Sequence, residues 1–293
     1  MVNQSFIKTS LLSGVALMAF AANSVLCRLA LGAGSIDPAS FTNLRMISGA
    51  MVLLIILIFQ KSEKSATSKG SWFASLALFA YAVTFSYAYL SVDTGTGALI
   101  LFGTVQIAMI VISIISGERL HITEWCGAVI AFTGFAYLIL PSVSSPSISG
   151  FLLMVIAGVS WALYTIFGRN SKNPLMDTTY NFIRTLPFIA IFFIITIKDI
   201  NFTSEGLILA LLSGGLTSGI GYTIWYIALK GLTATQAAVI QLFVPVLAAI
   251  GGVLFVAELM TLRLIISTCV VLGGILMVVL GRYYSLKRVL KST

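Results

Sequence analysis

Apolar residues run through this chain in long unbroken stretches separated by short polar turns. They do not alternate at every second position, nor do they mark only one face of each helix. Ten stretches are read as spans: 11–31, 40–59, 72–91, 95–115, 122–140, 149–168, 178–197, 206–229, 233–256 and 262–283. About 20 apolar residues in helical form cross the hydrocarbon core, and a helix satisfies its backbone polar groups internally. The first stretch opens like a secretion signal, with Lys8 ahead of "LLSGVALMAF" and "AAN". Its apolar character continues to Leu31, so it is read as the first span. The connections are too short for a soluble domain.

Composition agrees. Hydrophobic residues make up 59% of the chain and charged ones 9%. That is too few charges to cover a water-facing surface. The net charge of +8 could suggest a nucleic-acid partner, but its distribution argues for topology instead. With ten crossings and the N-terminus inside, twelve of the 17 basic residues fall on the cytoplasmic side, which predicts both termini in the cytoplasm. The expected partners are a small-molecule substrate and the lipid bilayer, with no nucleic acid. Cys27, Cys126 and Cys269 lack metal-ligand spacing and read as small core residues, and His121 as a loop residue. No cofactor is expected.

The chain also repeats itself. Glu118 and Glu258 each close an apolar stretch, 140 positions apart, and the halves align without a gap from Ala88/Ala228 to Leu140/Leu280. Each repeat holds five spans. Five is odd, so the second copy enters the membrane from the opposite side. The predicted fold is an all-α integral membrane protein of ten transmembrane helices in two inverted five-helix repeats. These are residues 11–140 and 149–283, followed by a basic cytoplasmic tail at 284–293. Inverted repeats place a substrate site near the midplane and allow alternating access.

The segments "GERLHITEWCGAVIAFTGFAYLIL" and "FVPVLAAIGGVLFVAELMTLRLIISTCVVLGGILMVVLG" carry a family resemblance. So do the arginines of "FTNLRMISGA" and "YNFIRTLPF", and the sixth span "GVSWALYTIFGR". Together they resemble the ten-span EamA-type branch of the drug/metabolite transporter superfamily. The resemblance implies a ten-helix fold and export of small metabolites, commonly amino acids or related compounds, across the bacterial inner membrane. One departure stands out: the ninth span has Pro245 where the fourth has Val105. Such spans often carry the proline in both halves of the family, so the two gates need not bend alike.

Polar groups inside the membrane mark a pathway or glue neighbouring helices. Asn23 lies mid-span in helix one, and its repeat counterpart Tyr164 shares a face with Trp161 in helix six. Tyr81 and Phe85 in helix three, and Tyr222 and Trp225 in helix eight, either pack or wall a cavity. The glycines at 214, 215, 219 and 221 permit close packing, bending or cavity space, and the cavity is the favoured reading for Tyr222 and Trp225, where they leave room. Gln106 and Gln241 sit deep in helices four and nine, with Pro245 freeing the Gln241 carbonyl. Arg45 and Arg184 start helices two and seven, where pairing with a substrate carboxylate or a gate competes with snorkelling to headgroups. Glu118 and Glu258 are expected at the inner and outer gate edges.

No acid lies mid-span, so no proton relay is evident, and no phosphate-binding loop is present. Facilitated transport, or coupling through Glu118 or Glu258, is expected. The alternatives are an exchanger of phosphorylated or nucleotide-linked solutes, or of quaternary amine and drug-like cations. An intramembrane enzyme lacks an acid, base or nucleophile in reacting geometry, and a channel lacks a charged or carbonyl-lined filter. A monomer or a homodimer is compatible with the sequence.

Overall fold

The computed structural model describes residues 6–59, 69–115, 122–140, 146–168, 171–232 and 240–292. Among them the regular structure is helical: α1 (Phe6–Gly32), α2 (Pro38–Phe59), α3 (Trp72–Ala88), α4 (Thr94–Ile115) and α5 (Ile122–Ile139) form the first half. The second half contains α6 (Ile148–Gly168), α7 (Pro174–Thr196), α8 (Ser204–Leu229), α9 (Val244–Val256) and α10 (Leu262–Ser292). Six of these helices are long and apolar enough to cross a membrane, and four shorter apolar helices accompany them.

Each helix shows which side meets lipid. On α1, Ile7, Leu11, Val15 and Met18 are exposed, while Ser13, Ala16, Phe20, Asn23 and Cys27 are buried. Both sets follow helical spacing. The apolar face points outward and the mixed face inward, as a bilayer requires. Cys126 and Cys269 are exposed, so the expectation of three core cysteines holds only for Cys27.

Contacts between the halves come in exchanged pairs. α3 packs on α6 as α8 packs on α1, α4 on α6 as α9 on α1, and α3 on α7 as α8 on α2. Three further cross-repeat pairs join equivalent helices, α2 with α7, α4 with α9, and α5 with α10, while α4 also touches α10. This is the contact pattern of two structurally related halves. Gly49 of α2 lies against Phe182 of α7, and the start of α2 meets the chain after α7 (Asp37 with Asn201) while the start of α7 meets the chain after α2 (Asp177 with Gly70), so the two helices are antiparallel. Small residues bring α5 and α10 together: a Cβ on Gly127 would lie 2.5 Å from the Gly274 carbonyl.

Two predicted spans differ in detail. The ninth is discontinuous: Ile240 and Gln241 are helical, Leu242 and Phe243 form a turn, and α9 begins at Val244 with Pro245 in its first turn. Proline fits there because first-turn amides have no intrahelical acceptor. Pro245 therefore starts a helix rather than kinking one. Within α8, residues Ser213–Ile220 form a π-helical segment. The glycines that make it possible do not leave cavity space. A Cβ at Gly214 would overlap the Arg45 carbonyl and the Ser48 hydroxyl, and one at Gly221 would lie 2.8 Å from Ala19. They let α8 lie directly on α2 and α1, which corrects the expected spacious role.

Candidate functional site

An aromatic chamber lies between the halves. Phe20, Asn23 and Ser24 of α1, Tyr81 and Phe85 of α3, and Leu101 and Phe102 of α4 form one side. Trp161 of α6 and Tyr222 of α8 form the other. Phe20 is the hub, with ring centroids 6.3 Å from Phe102, 5.9 Å from Trp161 and Tyr222, and 5.7 Å from Trp225. Trp161 adds centroid distances of 4.7 Å to Tyr222 and 5.0 Å to Tyr81. The cavity volume is ≈ 10 Å³, room for about one water molecule. The chamber is contracted around its own rings.

Its polar lining is tied together by the π segment. Asn23 Oδ1 accepts from Ser213 Oγ at 2.7 Å and from Thr217 Oγ1 at 3.1 Å, while its amide donates to the Tyr81 hydroxyl at 3.4 Å. The π geometry presents Ser213, Thr217 and Ser218 to the interior, a common use of such segments at functional sites. Asn23 thus joins α1, α3 and α8 while also lining the chamber. The role as interhelical glue is realised, at a residue that also faces the chamber.

Arg45 is the main departure from expectation. It is 1% exposed, so it does not snorkel. Its Nε donates to Ser218 Oγ and one terminal nitrogen to the Tyr222 hydroxyl, both at 3.2 Å. The guanidinium lies over Phe85 at 4.9 Å and Tyr81 at 5.2 Å, behind three walls of the chamber. None of these partners is a carboxylate. Its other terminal nitrogen has no hydrogen-bond partner, and neither do the buried indole nitrogens of Trp161 and Trp225. Arg184 differs: it donates to the Lys69 carbonyl and lies over Trp72, 5.6 Å from the ring centre. Equivalent sequence positions therefore have unequal roles.

Behind the first walls, Trp225 packs on Phe20, and Tyr164 packs on Trp161 at 5.5 Å with its hydroxyl toward Thr178 and Asn181. Gln106 and Gln241 are buried but do not line the chamber, and Gln241 Oε1 is unpartnered beside the break before α9.

An ion-pair cluster lies one turn beyond Ser24 on α1. Arg28 Nε meets Glu258 Oε1 at 3.0 Å, and Arg28 also reaches Asp93 at 3.2 Å and the Tyr89 carbonyl at 2.9 Å. Both Glu258 oxygens accept from the Thr94 amide, at 3.1 and 2.9 Å. The carboxylate thereby caps α4, where a helix N-terminus favours an anion. Gly252 leaves a notch for it, and Ala257, at φ 56°, turns the chain into position. The cluster ties α1 to the ends of α3, α4 and α9. Glu118 lies outside the described residues.

Sequence reasoning missed Phe20, Phe102, Arg28 and the three α8 hydroxyls. Phe20 had a detectable signal, since it stands three residues before Asn23 on the same helical face. The hydroxyls did not, because an ordinary helix would not turn all three inward.

Comparison with known proteins matches this architecture. The model of the EamA-like transporter family matches residues 8–140 and again 148–280, starting 140 positions apart. An uncharacterized protein of Pseudomonas aeruginosa is 44% identical over 94% of this chain and 96% of its own length. An uncharacterized transporter, YoaV of Bacillus subtilis, is 24% identical over 84% of this chain and 88% of its own. One from Archaeoglobus fulgidus is 28% identical over 83% and 87%. A crystal structure at 19% identity covers 91% of this chain and 98% of its own, with a TM-score of 0.62, and shares the fold.

Proposed function

Because the chain belongs to the EamA-like transporter family, we propose that it is a secondary transporter working by alternating access. It carries small amphipathic metabolites, amino acids and related aromatic-bodied compounds, out across the cytoplasmic membrane. The observation carrying this reading is a contracted aromatic chamber shared by both repeats, with unpartnered donors around it. Unpartnered buried donors are unfavourable unless a ligand fills them in another state. With the N-terminus in the cytoplasm, the Arg28–Glu258 seal faces outward, so this conformation is closed to the outside. Breaking the seal while the opposite face closes would exchange the roles of the two halves.

Arg45 gives the second reading one favourable observation. A deep cation suits an exchanger of phosphorylated or nucleotide-linked solutes, one of the alternatives the sequence left open. A quaternary amine is less compatible, because it would lie beside an uncompensated guanidinium. Counterflow in proteoliposomes tests the function: external labelled solute should enter faster when unlabelled solute is trapped inside. A linear, unsaturable flux would point to a channel. E258Q with E118Q leaving a strictly pH-driven flux intact would contradict coupling through the edge acids.

A further inference from the structure

We propose that the solute is an organic monocarboxylate with a flat apolar body and no ammonium group, and that Arg45 is its counter-ion. This rests on the transporter reading and narrows its substrate class to the related compounds that lack an ammonium group, leaving amino acids out. A buried cation without an anion is strongly unfavourable, and proteins ordinarily pair such groups. Here the Arg45 guanidinium meets two hydroxyls and two aromatic faces, and its remaining terminal nitrogen is unpartnered. One unpaired positive charge suits one negative charge on the solute. A guanidinium fork also matches the two oxygens of a carboxylate.

The rest of the chamber specifies what the carboxylate is attached to. Its walls are rings, which take up a flat apolar body. The unpartnered polar atom of its lining is a donor, the Trp161 indole nitrogen; behind the wall the Trp225 indole nitrogen and the Tyr164 hydroxyl are also unpartnered. An ammonium would need acceptors. Asn23 Oδ1 already accepts two hydroxyls, and none of the chamber-lining residues is acidic. Aromatic faces can hold a cation, but those of Tyr81 and Phe85 already face Arg45. A second cation there would be repelled.

The same charge accounts for the missing proton relay. A monoanion is driven out of a cell whose interior is negative, with about a 50-fold concentration ratio per 100 mV. Its export therefore needs no coupled ion.

The test uses full-length reconstituted protein and four probes sharing a phenyl ring: 3-phenylpropionate, phenylalanine, 2-phenylethylamine and phenyl phosphate. Binding is read from tryptophan fluorescence, and flux from counterflow. The acid should bind about 10-fold or more tightly than phenylalanine, and the amine should not compete. An interior-negative potential should speed exit of the acid. Arg45→Gln should abolish the preference, and Arg45→Lys should keep part of it. Should Arg45→Gln fail to fold, the wild-type series decides alone. Equal or better binding of phenylalanine or the amine overturns the assignment, as does preference for phenyl phosphate. Binding of the acid without trans-stimulated flux supports this site and contradicts the transporter reading. Preferred flux of phenylalanine contradicts this site and leaves transport standing.

Discussion

Asp37 and Asp177, 140 positions apart, each lend a carboxylate oxygen to a backbone amide of the other repeat. Asp37 accepts from Asn201 at 2.9 Å while its second oxygen caps α2 through the Ser40 amide at 2.8 Å. Asp177 accepts from Gly70 at 2.9 Å and also takes the Ser171 hydroxyl. Because Asp37 and Asp177 stand at the starts of the antiparallel helices α2 and α7, the two clamps lie at opposite ends of that helix pair. Each fixes the entry of a chamber-forming helix, α8 at one end and α3 at the other.

The clamps should therefore matter to stability in similar measure. Asp37→Asn and Asp177→Asn each weaken a charge-assisted bond to a backbone amide, with an expected loss of about 1–3 kcal/mol. Thermal unfolding in detergent should show both midpoints lowered. A variant indistinguishable from wild type would remove that aspartate from the scheme.

The Arg28–Glu258 contact should control access from its own face. The two side chains are 19% and 13% exposed, so the pair is partly shielded from screening. Glu258→Gln removes the charge while keeping much of the shape. With Ser24→Cys as a reporter in the chamber wall, modification from that face should become about 10-fold faster. An unchanged rate would mean that the seal lies elsewhere.

Two glycines make a contrasting pair. Gly214→Ala forces a methyl into the Arg45 carbonyl and Ser48 hydroxyl, with an expected destabilisation of about 1–3 kcal/mol. Gly14→Ala meets nothing within 4 Å and should be neutral or stabilising by up to about 1 kcal/mol. Equal effects in thermal unfolding would contradict the close approach of α8 to α2.

Phe20 is the largest single contributor predicted for the chamber itself. Phe20→Ala removes a buried ring touching four others and should destabilise by about 3–5 kcal/mol. Phe20→Leu keeps most of the volume and should fold well. Solute affinity should still fall, since the ring face is lost. Wild-type affinity in Phe20→Leu would place the solute away from Phe20.

These contacts also show where the sequence was readable. Long apolar runs and the 140-residue offset are chain-wide features, and both correspond to the helices and paired contacts observed. Asn23, Tyr81, Phe85, Trp161 and Tyr222 could be found because polar or aromatic groups stand out in apolar helices, and they line one chamber. The choice between snorkelling and pairing for Arg45 could not be made from sequence, because counting residues from a helix end gives depth but not direction. Its burial depends on Ser218 and Tyr222, 173 and 177 positions away. Pro245 resembled a kink because the helix break just before it depends on backbone geometry that composition does not encode. The Glu258 partner was invisible for a similar reason, since Arg28 lies 230 positions away.

Alternating exposure of one central chamber is tested most directly by a single cysteine at position 24 in a background lacking the three native cysteines. Membrane-impermeant thiol reagents are applied to vesicles of each orientation, with and without a Cys–Cys bridge introduced through Arg28→Cys and Glu258→Cys. The account predicts modification from both faces in the unbridged protein. With the bridge, modification should be lost from the Arg28–Glu258 face and retained from the opposite face. Equal reactivity from both faces with the bridge formed would contradict it.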